Sequence, residues 1–167
     1  MIEMHLGGLG FDPKNMSPIV LLRDREERNF LPIWIGMFEA AAIAMELQDF
    51  KPPRPMTHDL MTVLLEKLGA KMLRVVINEI VDDTFYAVIE VGIQKGAEEE
   101  MIKMDARPSD AIALAVRTHV PIFVSESVML KAKMVNAEKD DEESVKFKSF
   151  VDNINPDDFE KFFNNRS

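Results

Sequence analysis

Asp105-Ala-Arg-Pro-Ser-Asp-Ala-Ile-Ala-Leu-Ala-Val-Arg117, running on into Val120-Pro-Ile-Phe-Val124, carries the architecture of this chain. Pro108 suits the first position of a helix, where an N–H would have no partner anyway. Asp110 then falls in the first turn, where the helix dipole favours negative charge. From Ala111 to Val116 there is no polar face, which predicts a helix buried on all sides. A buried helix that opens on two carboxylates, a guanidinium and a hydroxyl is a candidate floor for a site.

Working outward, the residues before this helix read as strands. Lys71 to Val81 and Thr84 to Gln94 are rich in β-branched and aromatic residues and meet at a tight turn, Asp82-Asp83. Glu100 to Met104 adds a further strand, and Val120 to Val124 a short one. Near the start, Met1 to Asp12 reads as a strand, and Pro18 to Arg23 and Phe30 to Ile35 as a strand–turn–strand pair. The charges at residues 23–28 alternate in sign, as expected of a solvated hairpin tip. Two more helices are predicted, one over Phe38 to Phe50 and one beginning at Thr57, the expected N-cap, and closing at Gly69. Hairpins mixed with helical crossovers make the class α+β: one compact domain, a mixed and largely antiparallel sheet packed by helices.

The domain is expected to span residues 1–130. Residues 131–144 read as a charged linker and residues 145–167 as a short amphipathic helical extension, whose phenylalanines need a surface to cover them.

Composition narrows the chemistry. There is no cysteine, which excludes disulfides, thiolate zinc sites and cysteine nucleophiles. His5 and His119 have no motif around them, so a histidine zinc site is not expected. Gly7-Gly-Leu-Gly10 precedes no helix and fails as a nucleotide-binding loop. The start lacks the basic and apolar pattern of a secretory signal, and no apolar run is long enough to span a membrane. A cytoplasmic protein with no membrane partner is expected. The net charge is −9; residues 136–167 hold nine acids and five bases, so residues 1–135 keep 20 acids against 15 bases. A surface for nucleic acid, which is bound largely through Lys and Arg, must then be local. Lys51, Arg54, Arg107 and Arg117 are its basic candidates.

Upstream, Arg54-Pro-Met-Thr-His-Asp-Leu60 repeats the theme of a Pro-punctuated loop feeding polar residues into a helix. With Leu31-Pro-Ile-Trp-Ile-Gly36, Glu39-Ala40, the Asp105–Arg117 stretch and Val120-Pro-Ile-Phe-Val124, the chain resembles the bifunctional nuclease (BFN) domain family from about Met1 to Leu130. That resemblance implies a compact α+β domain, homo-oligomerisation as a dimer or higher, and nuclease action on RNA and DNA.

Phosphodiester hydrolysis needs charge neutralised at the phosphate and an activated water, which carboxylate-held divalent metals and arginine clamps supply. On this reading Asp59, Asp105 and Asp110 hold Mg²⁺ or Mn²⁺, with Glu39 a further carboxylate in reach. Arg54 and Arg107 grip phosphate, and His58 moves protons. The competing reading is structural. Asp110 and Glu39 complement helix dipoles, Asp105 and Arg107 pair across a corner, and the domain is a non-catalytic homo-oligomeric binding or scaffold module. A third reading, an anionic ligand at the helix openings, needs exposed arginines without a carboxylate cluster. The alanine-rich helix after Gly36 is expected to set one face on the sheet and another on a second copy of the chain. Trp34 is expected in the core.

Overall fold

The structure, a computed structural model, describes residues 1–138. Strands β1 (Ile2–Asp12), β2 (Ser17–Asp24) and β3 (Phe30–Trp34) lead to helices α1 (Met37–Leu47) and α2 (Thr57–Lys67). Strands β4 (Ala70–Val81), β5 (Thr84–Lys95) and β6 (Glu98–Ala106) follow, then α3 (Pro108–Thr118), β7 (Ile122–Val124) and α4 (Glu126–Glu138). The seven strands form one sheet in the order β3-β2-β1-β7-β4-β5-β6. It consists of two antiparallel meanders, stitched together by β7, which runs antiparallel to β1 and parallel to β4. Three residues of β7 thus unite the halves, and they follow directly from the α3 crossover. The expected α+β class and mixed sheet are what is found.

Local chemistry explains the joints. Asp82 and Asp83 both take positive φ, as a two-residue hairpin turn demands, and aspartate tolerates it better than most residues. Gly69, at φ +73, ends α2 as its sequence requires. A Cβ on Gly7 would meet the Arg23 side chain at 2.6 Å, so glycine lets Arg23 lie flat across β1, 5.3 Å over the Phe30 ring.

α3 is the keystone. Ala111, Ile112, Ala113, Leu114 and Ala115 are all buried, between the sheet and helices α1 and α2. The core continues through Val20, Leu22, Leu31 and Ile33 on the first meander and Val75, Ile77, Ile89 and Val91 on the second. On one row across the second meander, Glu90 is 3% exposed and accepts Arg74 Nε at 2.6 Å and Nη2 at 3.2 Å. Lys103 Nζ lies 3.4 Å from the same carboxylate. A buried carboxylate is tolerable there because two cations flank it.

Three local expectations change. Trp34 is exposed, its ring nitrogen donating to Asp12 at 3.0 Å, because it points away from Leu31 and Ile33 on the solvent side of edge strand β3. Thr57 begins α2 but does not cap it; the backbone N–H of Met56 is taken instead by Asp59 Oδ2 at 2.9 Å. Helix α1 stops at Leu47, short of Phe50. At the other end, α4 runs through Leu130, where the sequence places the domain end, and its Val128, Met129 and Ala132 join the core. The rest of the expected linker and the extension at residues 145–167 lie outside the described residues.

Candidate functional site

Three helices open toward one another, and a chain of charged groups joins them. Asp110, in the first turn of α3, meets His58 of α2, Nε2 to Oδ1 at 3.0 Å. Its other oxygen accepts Arg107 Nε at 2.8 Å. Arg107 Nη2 reaches Glu39 Oε1 of α1 at 2.9 Å. Glu39, Arg107, Asp110 and His58 therefore form one continuous network, with Arg107 exposed between Glu39 and Asp110 and His58, 8% exposed, at its inner end.

Burial works against ionisation of Asp110, but the Arg107 guanidinium and the His58 ring outweigh it and hold the carboxyl below its ordinary range. Asp110 also keeps Arg107 firmly charged. An ionised carboxylate only accepts hydrogen bonds. Nε2 of His58 must then carry the proton, which in the neutral ring puts the lone pair on Nδ1, an atom that takes no partner among the described residues. That tautomer is the one a general base needs. Arg107 Nη1 likewise takes no partner among the described residues, leaving N–H donors on an exposed guanidinium.

Asp59 turns elsewhere. Its Oδ1 accepts Arg117 Nε at 2.8 Å and its Oδ2 accepts the Met56 N–H at 2.9 Å. Burial again opposes ionisation, and Arg117 and the backbone N–H prevail, so Asp59 too is held below its ordinary range. Consecutive helical residues diverge by about 100°, and His58 and Asp59 accordingly turn to different partners, Asp110 and Arg117. Their adjacency in the sequence already contained that divergence. Arg117 is buried and serves three helices, which removes it from the basic groups able to meet nucleic acid. Asp59 and Arg117 instead form one wall of a cleft of about 260 Å³, together with Met45, Phe50, Lys51 and Val63.

Asp105 is exposed on edge strand β6, and Arg54 is exposed in the connector before α2; neither joins the network. The structure therefore brings together His58, Asp110 and Arg107 with Glu39, and leaves Asp59, Asp105 and Arg54 apart. Asp59, Asp105 and Asp110 do not converge as a ligand set. Both oxygens of Asp59 and of Asp110 already have donors, and among the described residues no three His, Asp or Glu side chains are grouped to hold a metal. These residues as placed do not fit a divalent ion.

Three of the carboxylates with depressed titration carry a consequence for stability. Asp59, Asp110 and Glu90 (the last held down chiefly by Arg74) are more acidic folded than their ordinary values of 3.8 and 4.5. Their stabilisation is complete above those values and is lost as pH falls through the lower folded ones. The melting temperature, followed by circular dichroism, is expected to hold from neutral pH to about 5 and then fall steeply below about 4.5. An unchanged melting temperature between pH 5 and 3 would remove these pairs as contributors.

A seven-stranded α+β domain whose helix openings are joined by a His–Asp–Arg–Glu network defines the class of protein. The sequence places it more closely. Residues 20–137 match the bifunctional nuclease domain. An uncharacterized protein of Mycobacterium tuberculosis (strain ATCC 25618 / H37Rv) is 40% identical over 168 residues, covering 95% of this chain and 98% of that protein. Bifunctional nuclease 1 of Oryza sativa subsp. japonica is 32% identical over 110 residues, 66% of this chain and 33% of the plant protein. Bifunctional nuclease 1 of Arabidopsis thaliana is 26% identical over 108 residues, 65% of this chain and again 33% of that protein. The chain belongs to the bifunctional nuclease domain family. No helix of the described residues is long and apolar enough to cross a membrane.

Proposed function

We propose that this domain is a nuclease, hydrolysing phosphodiester bonds of RNA and DNA through the network at its helix openings. The observation that carries this is the His58–Asp110 pair beside the exposed Arg107. Arg107 would bind a non-bridging phosphate oxygen with its remaining N–H groups. His58 Nδ1 would take a proton from the attacking water. As the new P–O bond forms, the bond to the leaving oxygen breaks, and that oxygen regains a proton from the imidazolium or from solvent. Asp110 holds the tautomer and stabilises the imidazolium. Mg²⁺ or Mn²⁺ belongs to the proposal only as an ion that arrives with the phosphates, since the side chains as placed do not hold one.

The second reading, a non-catalytic scaffold, is favoured by the burial of His58 and by the donors already filling Asp59 and Asp110. End-labelled single-stranded RNA and DNA, incubated with extensively purified protein in Mg²⁺, Mn²⁺ or chelator, separate the two. Cleavage in chelator supports chemistry by the chain's own residues. Cleavage only with metal assigns the missing charge to an ion that comes with the substrate, and none in any condition leaves the scaffold.

Homo-oligomerisation is part of the same proposal. Helix α2 buries only His58 and leaves Leu60, Met61, Val63, Leu64 and, just past its end, Leu68 exposed. Phe38 on α1 is 89% exposed. Contiguous apolar surface of this kind marks an association site. Leu64→Glu is expected to turn an oligomer into a monomer in sedimentation velocity; a wild type that sediments as a monomer would end the idea.

A further inference from the structure

Arg117 is the least expected participant in the helix layer. Its side chain is 6% exposed, and each guanidinium nitrogen has its own acceptor. Nε donates to Asp59 Oδ1 of α2 at 2.8 Å, Nη2 to the Ala42 carbonyl of α1 at 2.9 Å, and Nη1 to the Ala113 carbonyl of α3 at 2.9 Å. A lysine offers a point charge with no fixed fork, and cannot replace three directed bonds. Around this guanidinium the three helices are held at one mutual spacing.

The consequence lies one residue away. Asp59 is bound to Arg117, and the same carboxylate accepts the Met56 N–H, so the first turn of α2 is held by its third residue. His58 sits in that turn, and nothing else in α2 is buried. The sequence of α2 supplies little packing of its own to fix the turn, since most of its apolar residues face outward. His58 Nε2 meets Asp110 Oδ1 at the start of α3, while Arg117 makes its three bonds near the opposite end of the same helix.

We infer that Arg117 is a positioning residue for the His58–Asp110 pair: through Asp59 and the Ala42 carbonyl it sets the opening of α2 against α3, and so fixes the His58 tautomer. This rests on the reading of His58 as the base of the proposed nuclease. It touches neither substrate nor reacting atoms. Releasing Arg117 lets the first turn of α2 shift by fractions of an ångström to an ångström, enough for a directed hydrogen bond to fail while the sheet and core stay intact. Displacements of about 1 Å cost up to about a hundredfold in rate.

The test uses the full chain labelled with ¹⁵N in its three histidines, His5, His58 and His119, with His58→Gln to assign the signals. The wild type is expected to show His58 as the Nε2–H tautomer with a slowly exchanging ring proton. In Arg117→Met, with circular dichroism showing a retained fold, that proton is expected to exchange rapidly, and kcat to fall about ten- to a hundredfold at unchanged KM. A folded Arg117→Met that keeps the protected Nε2–H overturns the inference and reduces Arg117 to packing. Loss of the signal in a protein that cleaves nothing even as wild type upholds the positioning role and removes the nuclease reading. If Arg117→Met does not fold, Arg117→Lys, which keeps the charge and the stem but loses the fork, is read the same way: loss of the protected proton supports the role and its retention overturns it.

Discussion

His58→Gln is expected to lower nuclease cleavage by about 10²- to 10⁴-fold, the usual contribution of a positioned general base, with little change in melting temperature. The amide of glutamine can still donate to Asp110, so the ionised carboxylate keeps a partner and Arg107 keeps its own. What disappears is the basic lone pair. The effect therefore belongs in kcat, with KM for a short oligonucleotide unchanged. Arg107→Gln provides the contrast, because it removes a phosphate donor and should raise KM. A His58→Gln protein that cleaves as the wild type does would place the chemistry elsewhere. One that loses several kilocalories of stability would show that His58 serves the helix openings as a structural lock.

The largest expected effect on folding lies in α3. Leu114 is 1% exposed in a helix packed by α1, α2 and the sheet, so Leu114→Ala leaves a cavity that close-packed surroundings cannot fully close. Such substitutions cost about 2 to 5 kcal/mol, which lowers the melting temperature of a chain this size by about 5 to 15 °C. Denaturant melts with an unchanged slope would confirm lost packing, not a looser native state. A shift under about 2 °C would mean that the α3 site relaxes far more than close packing allows. Leu64→Glu on the outer face of α2 should leave the melt of an isolated subunit nearly unchanged, because Leu64 buries little within the chain.

Much of this was legible residue by residue. Pro108 at the first position of α3, Asp110 in its first turn and the apolar run to Ala115 specify a buried helix without reference to anything else. The paired aspartates at 82 and 83 specify a hairpin because few other side chains accept positive φ twice in succession. The place of Trp34 is not legible this way, because one alternation pattern, read on an edge strand, does not say which face the sheet will bury.

The site divides the same way. Local pattern alone placed His58, Asp59 and Asp110 at helix openings, and the α+β order of elements with them. Which charges face which partner was decided only by the crossing of α1, α2 and α3. His58 lies 52 residues from Asp110, and Arg117 lies 58 from Asp59 and 75 from Ala42. A strand or helix records its own periodicity in consecutive residues. The direction of an ion pair depends on how two separate helices are set against each other, and that comes from packing the whole core.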